Sequence, residues 1–116
     1  MGLDGYFYRK KWGDTKFELR RPLCGGIFSG NGEDGSFRAR RYNPIVIDLT
    51  EYDLSTEYSN EEIRVIAKLL REAYENRRDE VKNLLKEYDI DEDEFLALVE
   101  LFEQAAEKGC VYTPWG

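Results

Sequence analysis

Glycine thins out where the chain's charge changes sign. Eight of the ten glycines fall in residues 1–49, which hold nine Lys/Arg against six Asp/Glu, a formal +3. Residues 50–116 hold eight Lys/Arg against 18 Asp/Glu, a formal −10. Glycine inside a helix costs about 1 kcal/mol relative to alanine, and it belongs in turns. The first half is therefore a poor source of long helices, and the second half is a good one. Strands followed by helices predict an α+β domain, with an N-terminal antiparallel sheet of two to four strands packed on two or three C-terminal helices. A length of 116 residues fits one domain, residues 1–116. Its expected parts are strands and a Gly-rich loop over 1–50, helices over 59–109 and an extended tail over 110–116. An apolar content of 41% supplies a core despite 35% charged residues.

Local patterns sharpen this outline. Residues 3–12 are rich in strand formers, with Tyr6 and Tyr8 on one face and Phe7 and Arg9 on the other. Gly13-Asp14 predicts a two-residue turn, and the alternation of Phe17 and Leu19 with Lys16, Glu18 and Arg20 predicts a second, half-buried strand over 15–21. Residues 22–35 read as a loop through Gly25-Gly26, Asn31-Gly32 and Asp34-Gly35, with another strand expected over 36–42. Ile45-Val46-Ile47 suits a strand. Asn43-Pro44 suits a helix start and tips residues 43–50 toward helix.

Ser59 with Glu62 spells a capping box, followed by Ile63, Ile66, Ala67 and Leu70 at helical spacing. A break is expected near Asn76–Asp79. Asp91 with Glu94 repeats the cap, and Gly109 sits where a helix would close. The tail from Cys110 to Trp115 predicts an edge strand that Pro114 limits.

The chain has no histidine, which removes Ser-His and Cys-His nucleophile pairs and imidazole acid-base chemistry. Two isolated cysteines, Cys24 and Cys110, cannot supply a zinc site, and neither a metal nor a cofactor is expected. Charged residues from Asp4 to Glu18 argue against a signal peptide, and the sequence lacks a run of apolar residues long enough for a membrane span. The expectation is a cytoplasmic protein with reduced thiols and no membrane contact.

Four patterns invite a chemical reading. Gly30-Asn31-Gly32-Glu33-Asp34-Gly35 matches G-x-G-x-x-G. Its two acids would repel a pyrophosphate, and no apolar-periodic helix is evident after it. Asp89, Asp91, Asp93 and Glu100 copy the acid spacing of a calcium loop, but Glu94 stands where the sharp turn needs glycine. Tyr6, Tyr8, Arg9, Lys10 and Lys11, with Arg38, Arg40 and Arg41, interleave aromatics and cations as a single-strand nucleic-acid face does. Asp91, Asp93, Glu100, Glu103 and Glu107 form an acidic helix face able to meet a basic partner.

The opening Met1-Gly2-Leu3-Asp4-Gly5-Tyr6-Phe7-Tyr8 resembles a group of small phage and bacterial proteins that begin M-G-L-D-x-Y-x-Y. Gly25-Gly26-Ile27-Phe28-Ser29-Gly30, followed by Gly35-Ser36-Phe37-Arg38 and Tyr42, is similar to proteins of gut bacteria and their mobile elements. The resemblance implies a small accessory protein of a phage or mobile element. It supplies no reaction and no residue roles. The expected function is non-enzymatic protein binding, with inhibition of a host or defence protein as its most specific form. The alternative is binding of single-stranded nucleic acid.

Overall fold

The computed structural model describes residues 3–11, 14–21, 23 and 34–115. The expected α+β class is borne out. In chain order the elements are β1 (Asp4–Tyr8), β2 (Ser36–Phe37), α1 (Ala39–Thr50), α2 (Asn60–Asn76), α3 (Arg78–Glu87), α4 (Glu92–Glu107) and β3 (Val111–Trp115). The sheet order is β2-β1-β3, antiparallel throughout. β1 is therefore central, flanked on one side by the chain's last strand, with Phe7 opposite Tyr112. On β3, the amide and carbonyl of Tyr112 point away from β1 and pair with Tyr58. Pro114 shares that outward parity, so its missing N–H costs the ladder nothing.

Residues 15–21 correct the hairpin. They form an irregular strap rather than a strand. Burial still alternates as expected, with Thr15 and Phe17 inside and Lys16, Glu18 and Arg20 outside. The partner is α4 instead of a strand. Gln104 Nε2 donates to the Glu18 carbonyl at 2.6 Å, and the Glu18 amide donates to Gln104 Oε1 at 2.9 Å. A side-chain amide thus stands in for a neighbouring peptide group.

Residues 36–42 are also corrected. Only Ser36 and Phe37 are strand, and a helix begins at Ala39, four residues before the expected Asn43-Pro44 start. Pro44 lies inside α1, where it removes one backbone hydrogen bond, and Asn43 is no cap. Its side chain instead accepts from the Leu54 amide and donates to Asp53. The buried stripe Ala39, Tyr42, Ile45, Val46 and Leu49 has helical spacing and overrides the strand preference of Ile45-Val46-Ile47.

The later helices follow their sequence signals. Ser59 and Glu62 form the reciprocal cap of α2, and Asp91 and Glu94 that of α4. α2 ends at Asn76 and α3 starts at Arg78, at the expected break. Gly109 closes α4 at φ 75°, with the Cys110 amide reaching the Ala105 carbonyl at 2.9 Å. α4 is the central helix, buried at every position from Phe95 to Phe102. Phe102 meets Phe7 and Phe37 from the sheet, and Phe95 meets Tyr74 of α2. No described helix is long and apolar enough to cross a membrane.

Candidate functional site

The structure scatters the aromatic-basic set. Tyr6 is buried on the sheet face opposite Phe7, edge-on to Trp115. Burial, with Asp34 and Asp4 adding to it, pushes the Tyr6 hydroxyl up to about 12. Tyr8 is half-buried, whereas Arg9, Lys10 and Lys11 are exposed. The backbone amides of those three residues all point at the Asp14 carboxylate, at 3.3, 2.8 and 3.4 Å. Arg38 and Arg40 are exposed at the start of α1. Arg41 is half-buried and works internally. Its Nε and Nη2 grip both oxygens of Glu94 at 2.9 Å, and Nη2 also reaches the Asp89 carbonyl at 2.9 Å. Tyr42 Oη donates to the same carboxylate at 2.8 Å. The Arg41 guanidinium is the main cause holding the Glu94 carboxyl at about 2; burial opposes it, and Tyr42 assists.

The glycine pattern falls mostly outside the described residues, and the calcium-like spacing does not form a loop. Gly30 to Glu33 lie outside the described residues, so only Asp34 and Gly35 of G-x-G-x-x-G are placed. A helix does follow that segment, contrary to expectation, but the Leu3 carbonyl takes the Arg40 amide at its first turn. The calcium spacing is not a loop. Asp89 closes α3 at φ 55°, Asp91 caps α4, and Asp93, Glu94 and Glu100 lie within α4. Among the described residues no group of acids is arranged to hold a metal ion. Cys24 is outside the described residues, and Cys110 is buried with its thiol pushed up by that burial.

The acidic face of α4 has internal counter-ions. Asp93 meets Arg21 at 3.2 Å, and Glu100 meets Arg20 at 3.1 Å and Arg21 at 3.6 Å. Glu103 takes a bidentate grip from Arg71 at 2.7 and 3.0 Å. These pairs tie the strap and α2 to α4. An open cleft of about 780 Å³ lies between strap and helix, bordered by Lys16, Arg20, Glu100, Gln104 and Glu107. Asp91 and Glu107 are the two exposed members of this face without an ion pair among the described residues, and Asp91 caps α4 instead.

A longer run of acid with no cation inside it lies in a stretch whose charge pattern is not a helix face. From Tyr42 to Ile63 the chain has no Lys or Arg, yet it carries Asp48, Glu51, Asp53, Glu57, Glu61 and Glu62. All six are exposed at the end of α1, the connection after it and the start of α2. Among the described residues none of the six makes an ion pair. Glu61 and Glu62 suit the positive end of the α2 dipole. Asp48 in the last turn of α1 opposes the negative end of that helix. It accepts from Tyr88 Oη at 2.6 Å, a bond that pushes the Tyr88 hydroxyl up to about 12. Bonds from Asn43, first, and Ser55 hold the Asp53 carboxyl below the usual range. Glu51 and Glu57 have no side-chain hydrogen bond among the described residues, and Glu51 sits at φ 66°, a conformation costly for a side chain other than glycine.

Within this acidic stretch Tyr52 and Tyr58 are half-buried, with rings 5.4 Å apart at 76°. Tyr58 is fixed from behind. Its ring stacks on the buried Tyr112 at 6.1 Å, its backbone pairs with that residue, and its hydroxyl donates to the Asp53 carbonyl at 2.7 Å. Ile47, 37% exposed, adds apolar surface on α1. The signal in the sequence was the 22-residue gap without a cation, which a search for helix faces does not register. No protein-family model, curated protein or solved structure matches this chain.

Proposed function

We propose that this chain is a small non-enzymatic protein-binding factor that docks a Lys/Arg-rich segment of a partner protein on the connection between α1 and α2. The observation carrying this reading is a contrast in neutralisation. Asp93, Glu94, Glu100 and Glu103 already hold arginines of the same chain. The six acids from Asp48 to Glu62 hold none among the described residues. Fixed tyrosines beside uncompensated carboxylates suit cations, through ring faces and charge together. The resemblance of the N-terminal residues supports a phage or mobile-element setting, with a host or defence protein as the partner and inhibition as the outcome. The nucleic-acid alternative has less support, because Tyr6 is buried and Arg41 is engaged by Glu94.

The test compares two triple variants with the same change in net charge. One is Glu51→Lys, Glu57→Lys and Glu61→Lys; the other is Glu72→Lys, Glu75→Lys and Glu87→Lys. Binding of a Lys/Arg-rich peptide is read by fluorescence anisotropy at about 50 and 150 mM salt, where the screening length shortens. The first variant should lose at least tenfold in affinity and the second less than threefold, and both should remain folded by circular dichroism. Equal losses in the two variants would show that net charge alone attracts the peptide, and the assignment of the site would fall.

A further inference from the structure

We draw no further inference here: the strongest candidate, the open cleft between the 14–21 strap and α4 around Glu100, whose Oε1 is buried without a hydrogen-bond partner, belongs to the strap-to-helix tie already described, because that oxygen is closed off from solvent and faces Arg21 at 3.6 Å.

Discussion

Replacing Glu94 by glutamine isolates the charge in the clasp that joins α1 to the start of α4. Glutamine keeps the shape and still suits the third position of the Asp91 capping box. It loses the ionic grip of Arg41 and a strong acceptor for Tyr42. Lowering a carboxyl from 4.5 to about 2 corresponds to roughly 3 kcal/mol at 1.36 kcal/mol per pH unit. The Arg41 and Glu94 side chains are 33% and 16% exposed, so solvent screens part of that. About 2 kcal/mol is the expected cost at pH 7 after this discount. The folded pKa lies below the unfolded one, so the stabilisation is complete above about pH 4.5 and is lost as pH falls toward about 2. Urea unfolding, followed by fluorescence, should place Glu94→Gln about 2 kcal/mol below the parent at pH 7, or roughly 6–10 °C in Tm. The difference should fall to less than half by about pH 3. A difference under about 0.5 kcal/mol at pH 7, or one that does not change with pH, would refute the clasp as an electrostatic device.

Other perturbations test the backbone and the caps. Asp89→Gly relieves a left-handed residue at φ 55° while leaving the carbonyl that Arg41 uses, and should stabilise by about 0.5 kcal/mol in urea melts. Gly35→Ala would bring a Cβ to 2.5 Å from the Phe7 carbonyl oxygen at φ 89°; a loss of roughly 2–4 kcal/mol is expected, and an unchanged Tm would contradict the placement of that turn. Ser59→Ala removes the hydroxyl that accepts the Glu62 amide and should cost about 1 kcal/mol, readable as a lower urea midpoint with an unchanged slope.

Legibility in the sequence followed the range of the interactions involved. The caps of α2 and α4, the break at Arg77 and the glycine closing α4 are set by residues within one turn of each other, and each was readable. The strap was half readable. Alternation at Phe17 and Leu19 reports which side is buried, but the same pattern serves an extended chain lying on a helix, and the Gln104 side chain lies 86 positions from Glu18. Residues 36–42 misled because strand formers were read without their neighbours. Tyr42, Ile45 and Val46 align with Ala39 on one buried stripe only if the chain coils.

The candidate site divides in the same way. Composition alone removes imidazole chemistry from this chain and places most of its carboxylates in the second half, and the order of local patterns predicts the α+β class. Tertiary structure decided which carboxylates have counter-ions. Arg20, Arg21 and Arg41 come from the basic half and settle on acids of α4, each pair joining residues more than 50 positions apart. Arg71 of α2 does the same for Glu103. Coulomb attraction depends on distance in space, and a charge run in the sequence gives no measure of that distance. Four acids of α4, conspicuous in the sequence, are therefore internal ties, and the less conspicuous stretch from Asp48 to Glu62 exposes six carboxylates with no ion pair among the described residues.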